Sequence, residues 1–207
     1  MRKRTTTALA SAGFLIGLGG LLSFDPLVLA QQVPANGGVT GQLLRDARRD
    51  GRRVMILTED LYYCYPPANE LYKVPAFFET DFASIPSAAR WMINPFGDHA
   101  EAAVVHDWLY AVGEEGGRLK ADEVFRFAMA EQGVNVLTRN AMFRAVRAGG
   151  GAAYGQNREW RFVDPRNGQP VESPPKKPAK AVVGQTDCAT FDTDIARLKV
   201  EYADVYR

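Results

Sequence analysis

The sequence predicts an α+β domain: a small antiparallel sheet followed by a three-helix core with an antiparallel, His-Asp-bearing helix pair. Three observations carry this. Between residues 53 and 79, short runs rich in aromatic and β-branched residues are punctuated by "PPANE", the pattern of strands joined by turns. From residue 98 to 155 the periodicity becomes helical, with glycines where helices should stop. A histidine and an aspartate, His106 and Asp107, interrupt the most apolar of these helical runs, "AVVHDWLYAVG".

The elements follow in chain order. Residues 1–30 read as a signal peptide: Arg2, Lys3 and Arg4 precede an apolar stretch from Ala8 to Leu22, and "VLA" then "QQ" places cleavage after Ala30. Asp25 and Pro26 break the apolar run before it reaches the ~20 residues of a membrane span. Residues 31–52 form a polar lead-in with a short helix in "GQLLRDARRD". The globular domain spans 53–160. "RRVMILTED", "LYYCYP" and "LYKVPAFFET" supply two or three antiparallel strands. A first helix starts at Asp98, whose side chain caps it with Glu101 reaching back, and stops at Gly113. A second runs from Leu119 to Gln132 before Gly133, and a third from Leu137 to Ala148. The small residues of "RAGGGAAYG" let another backbone approach closely. Residues 164–184, rich in proline and lysine, read as an extended linker that packs on nothing, and 185–207 as a short amphipathic C-terminal helix.

Charge excludes one class of function. Removing residues 1–30 takes away Arg2, Lys3, Arg4 and Asp25 and moves the formal net charge from +1 to −1. Such a domain has no long-range field for nucleic acid. Cys64 and Cys188 either pair, as an oxidising compartment permits, or remain two free thiols. Neither belongs to a CxxC motif or a Cys/His cluster that would suggest structural zinc.

The chemistry concentrates on the first two predicted helices. His106 shares a face with Ala102, Ala103, Leu109 and Tyr110, so it points to the core. Asp122 breaks the apolar stripe of Leu119, Phe125 and Met129 in the same way. A lone buried carboxylate costs several kcal/mol unless it is paired or metal-bound. The economical solution sets Asp122 against His106 across the two helices, where it fixes the imidazole tautomer. His99 lies seven residues before His106, about 10.5 Å along a helix, so the two cannot share a zinc ion. Any metal is therefore expected to be Ca²⁺ or Mg²⁺, with Asp107 and Asp81 as its ligands. Ser84 and Ser87 lack the G-x-S-x-G setting of a nucleophile. Arg139, Arg144 and Arg147 on the third helix are either an anion-binding face or ordinary solvated charge.

"VPAFFETDFASIPSAARW", "AAVVHDWLY" and "ADEVFRFAM", in that order, resemble the family called domain of unknown function 1353, across roughly residues 53–155. The resemblance implies an association with tailed phages, prophages and bacterial genomes and names no reaction. "HDWLY" followed by the Asp of "AD" is also similar to secreted phospholipases of the A2 class, which carry H-D-x-C-Y on one helix and an Asp on the antiparallel one. That likeness implies His106 as the base that activates water, Asp107 as a Ca²⁺ ligand, and Tyr110 and Asp122 as orienting groups. The chain departs from it in having no cysteine within the motif, no disulfide framework and no Y-G-x-G calcium loop. Asp81 in "TDFASIP" is the candidate to replace part of that loop.

Two functions remain open on the sequence. One is an exported, metal-assisted hydrolase of an envelope phospholipid or peptidoglycan bond, with His106, Asp122 and Tyr110 as its catalytic set. The other is a non-catalytic envelope or phage-derived module, bound to an envelope component or assembly partner, in which the His-Asp pair only holds helices together. Processing is directly testable. The exported protein is expected to have the intact mass of a chain beginning at Gln31; a mass retaining residues 1–30 would refute the cleavage assignment.

Overall fold

The computed structural model describes residues 39–40, 44–49, 52–81 and 100–206. The expected signal peptide, Ser84, Ser87, Asp98 and His99 lie outside these residues. An α+β architecture is observed, built on two small antiparallel sheets.

The first sheet corrects the expected lead-in helix. Leu44–Arg49 is a strand, β2, paired with β3, Arg52–Leu57, in the register Arg49↔Arg52. That pairing leaves Asp50-Gly51 between the strands, a dipeptide favoured in two-residue hairpin turns. Cross-strand pairing outweighs the weak local helical preference of "LRDARR". The short strand β6, Glu79–Thr80, lies along the other edge of β3 through Met55↔Thr80.

The second sheet runs in the order β1 (Val39–Thr40), β4 (Leu61–Tyr65), β5 (Glu70–Val74), β7 (Val182–Gln185). It is covered on both faces. Leu61 and Tyr63 enter the main core, while Tyr62 and Cys64 enter a smaller cluster with Leu71, Cys188, Phe191 and Leu198. Double burial explains why β4 reads as a continuous apolar run rather than an alternating one.

Helix α1, Ala100–Val112, is buried at every residue except Glu101. A helix apolar all round belongs at the centre of a core. It packs against α2, Arg118–Glu131, which in turn packs against α3, Val136–Gly149. Asn135 caps α3 by accepting from the Thr138 amide at 3.0 Å. Gly113 ends α1 with φ +62°, and a Cβ there would fall 2.1 Å from the Gly155 Cα. The glycine-rich stretch after α3 thus lets two backbones meet, with the Gly155 amide donating to the Tyr110 carbonyl at 2.8 Å.

Residues 164–184 pack on the domain, contrary to the linker expectation. The Trp160 indole donates to the Pro175 carbonyl at 2.9 Å, Lys177 Nζ to the Gly155 carbonyl at 2.9 Å, and Val171 N to the Phe162 carbonyl at 3.0 Å. Ala181 is buried, and Val182 opens β7. An extended proline-rich chain needs no internal hydrogen bonds, so composition alone conceals these widely spaced anchors.

The chain then forms α4, Phe191–Glu201. A Cys64–Cys188 disulfide joins β4 to the segment before α4, with Cα atoms 5.5 Å apart, within the ordinary range for such a bond. Buried Lys73 secures the end: its ammonium donates to the carbonyls of Tyr202 (2.8 Å), Ala203 (3.0 Å) and Val205 (3.1 Å) and pairs with Asp60 at 3.0 Å. No helix among the described residues is long and apolar enough to cross a membrane. Cys188→Ser should lower stability by about 2–4 kcal/mol, the usual contribution of a disulfide closing a long loop. Amide exchange should rise first in β7 and α4. A denaturation midpoint unchanged by the substitution would contradict this.

Candidate functional site

The short connection between α1 and α2 turns the chain back, and the buried polar groups of the two helices meet. His106 Nε2 lies 2.9 Å from Asp122 Oδ1. Tyr110, one turn beyond His106 on the same face, donates its hydroxyl to the same oxygen at 2.8 Å. Arg147 of α3 donates to Asp122 Oδ2 at 2.7 Å. His106 and Asp122 are both 0% exposed, whereas the Arg147 side chain is 35% exposed. The imidazole sits beside the rings of Tyr110 and Phe125, at centroid distances of 4.2 and 4.6 Å.

Burial pushes the Asp122 carboxyl up, but the hydrogen bonds from His106, Arg147 and Tyr110 overcome it and hold the group below its ordinary range. Burial lowers the His106 pKa, only partly opposed by the hydrogen bond to Asp122 and by its charge. An ionised Asp122 beside a neutral imidazole requires the proton on Nε2, which leaves the lone pair on Nδ1. Among the described residues Nδ1 has no hydrogen-bond partner. It lies 4.0 Å from Asp107 Oδ1, too far for a direct hydrogen bond. In this protonation state Nδ1 is an acceptor facing the Asp107 carboxylate rather than a donor to it.

Asp107 is 7% exposed and accepts a hydrogen bond from the Thr80 hydroxyl of β6. Asp81, expected beside Asp107, pairs with Arg49 at 3.2 Å. Successive residues of an extended chain point to opposite sides; Thr80 turns its hydroxyl to α1, and Glu79 turns to Arg49. Glu79 joins the same charged group, bonded to Arg49 and, at 3.1 Å, to Arg161. Among the described residues no group of three or more His, Cys, Asp or Glu is placed to hold a metal ion.

Sequence reasoning brought His106, Tyr110 and Asp122 together and missed two arginines. Arg147, expected on a solvent-facing basic surface, turns inward to Asp122. Arg118 donates Nε to the Tyr110 hydroxyl at 3.4 Å and its guanidinium to the Val146 and Arg147 carbonyls. Two small residues after α3 make room for the group: a Cβ at Gly150 would lie 2.6 Å from the Tyr110 hydroxyl and one at Gly151 3.1 Å from the Arg118 guanidinium.

A family model described as protein of unknown function (DUF1353) matches residues 55–146. This stretch runs from within β3 to α3 and holds His106, Asp107, Tyr110, Arg118 and Asp122, with Arg147 one residue beyond. The match covers a little under half of the chain and supports the resemblance to that family. No curated protein and no solved structure matches the chain.

The network makes a pH prediction. Unfolded, His106 takes up a proton near its ordinary pKa of 6.5, whereas in the fold it resists doing so. Below that pH the unfolded chain binds more protons, so the stability associated with neutral His106 is present above it and lost as pH falls. Relative to His106→Gln, the native protein should lose stability between pH 6.5 and 5, by at most about 1.4 kcal/mol per pH unit. Taking the difference removes the opposing effect of Glu131, whose pKa burial raises to about 8 despite the Tyr63 hydrogen bond. Asp122, held below 3.8, titrates outside the window. A difference that is flat or rises toward acid pH would refute the assignment.

Proposed function

We propose that the chain is an exported hydrolase of an ester or amide bond in the cell envelope, in lipid or peptidoglycan, with His106 Nδ1 as its base. The observation that carries this reading is the buried Nδ1, without a hydrogen-bond partner among the described residues, beside Asp107 while Nε2 is fixed by Asp122. A water between Nδ1 and Asp107 would lose its proton to Nδ1 as its oxygen attacks the carbonyl carbon. The imidazolium would be stabilised by Asp122, held in turn by Tyr110 and Arg147, and would return the proton to the leaving group. The similarity of "HDWLY" and Asp122 to the A2 phospholipases supports the same roles. Export is supported by the basic and apolar leader and by the disulfide, a bond that persists in oxidising compartments.

A Ca²⁺ or Mg²⁺ ion on Asp107 and Asp81 fits the described residues poorly, because Thr80 engages the first and Arg49 the second. The proton transfers above need no cation. Complete burial of His106 and Asp122 favours a second reading, in which the pair only locks α1 to α2 within an envelope or phage-derived assembly module.

Purified protein should release product from one member of a panel of phospholipids and peptidoglycan fragments. His106→Gln should abolish turnover while retaining cooperative unfolding. Asp122→Asn should reduce activity and cost about 3–5 kcal/mol, the scale for a broken buried pair. Turnover unaffected by His106→Gln, or no turnover on the whole panel with both variants strongly destabilised, would overturn the hydrolase in favour of the structural module. Added Ca²⁺ or Mg²⁺ should leave turnover unchanged.

A further inference from the structure

The end of the β2–β3 hairpin carries charge that the fold does not compensate. Residues 45–53 hold five arginines and two aspartates, an excess of three positive charges in a chain whose formal net charge is +1. The register sets Arg48 opposite Arg53 and Arg49 opposite Arg52. Directly opposed residues of an antiparallel pair share a face, and like charges so placed destabilise it. Successive pairs fall on opposite faces, so each face of the hairpin end carries one arginine pair. One pair is relieved, because Arg49 is bound by Glu79 and Asp81. The other is not. Arg48 is exposed, forms no ion pair among the described residues, and has an arginine as its register partner. Val54, next inward on β3, is already buried, so the Arg48–Arg53 pair stands where the core ends.

We infer that Arg48 and Arg53 form a binding site for a phosphate group, which supplies the counter-charge that the fold lacks. The Cβ atoms of opposed strand residues lie about 4.5–5.5 Å apart, so two guanidinium groups can close on one oxyanion, each through paired N–H donors. Phosphate suits the pair better than carboxylate: one arginine fork already occupies both oxygens of a carboxylate, whereas phosphate has further oxygens for the second fork. A single pair fits a single phosphate group, and the near-neutral chain adds no long-range attraction for a polyanion. The inference does not depend on the hydrolase reading, because neither arginine belongs to the His106 network.

Titration calorimetry with inorganic phosphate, and thermal melting with and without it, test the site. Phosphate should bind the purified chain and raise its melting temperature, and added sodium chloride should weaken both effects. Arg48→Gln with Arg53→Gln should reduce the affinity by about tenfold or more, the scale for losing hydrogen bonds to a charged group. Without phosphate this variant should melt above the native protein, because the facing like charges are gone. Arg139→Gln with Arg144→Gln removes the same charge from α3 and should bind as the native protein does. So should His106→Gln, which separates this result from the fate of the catalytic reading. Vesicles of phosphatidylcholine with and without phosphatidylglycerol identify the source of the phosphate. Tighter binding to the anionic vesicles than to inorganic phosphate assigns a lipid headgroup, and no such gain assigns a soluble phosphate; either result supports the site. No binding to inorganic phosphate or to anionic vesicles, equal weakening by the α3 variant, or a melting temperature lowered by removing Arg48 and Arg53 would overturn the inference. So would undiminished binding by the Arg48 and Arg53 variant; if that variant also self-associates, the arginines serve instead to protect the edge strand β2.

Discussion

The helical half depends on one buried charge. Asp122 is wholly enclosed, and its carboxylate accepts from His106 and Tyr110 of α1 and from Arg147 of α3 while itself belonging to α2. An unpaired carboxylate in that position would cost several kcal/mol, so the three helices share one arrangement in which all the donors arrive together. Small residues make the arrangement possible. Gly150 leaves space for the Tyr110 hydroxyl, and Gly113 against Gly155 brings the end of α1 up to the chain beyond α3. Arg118 closes the group by holding the carbonyls at the end of α3 and the Tyr110 hydroxyl at once.

The sheet half is secured differently. Its second face is covered by a small cluster built around Tyr62, Leu71, Phe191 and Leu198, and most of the covering chain arrives from more than a hundred residues away in sequence. So little apolar surface does not hold such a distant segment by burial alone. The disulfide, the pairing of β7 with β5 and the Lys73 ammonium supply the remaining restraint. Covalent, backbone and charged contacts thus compensate for a thin hydrophobic layer.

The two sides of α3 carry opposite chemistry. Its inner side delivers Arg147 to Asp122, and through that carboxylate biases the imidazole toward a free Nδ1. Its outer side presents exposed leucine, valine and arginine.

The sequence by itself determined the fold class, the end of the first central helix and both limits of the second and third to within a residue or two, and the meeting of His106 with Asp122. Those features are local or obey helical periodicity: Gly113 and Gly133 stop helices, and polar residues on an apolar stripe demand partners. What only the tertiary structure decided is longer in range. "LRDARR" is a strand because β3 offers it a hydrogen-bonding partner, which no local preference reveals. Residues 164–184 are packed because isolated anchors such as Trp160 and Lys177 find carbonyls across the chain. Thr80 touches Asp107 because strand direction, not residue chemistry, brings its hydroxyl to α1. Arg147 serves the buried carboxylate rather than solvent because the crossing of α2 and α3 carries its guanidinium there. In each case the partner lies far along the chain, and only the folded geometry assigns it.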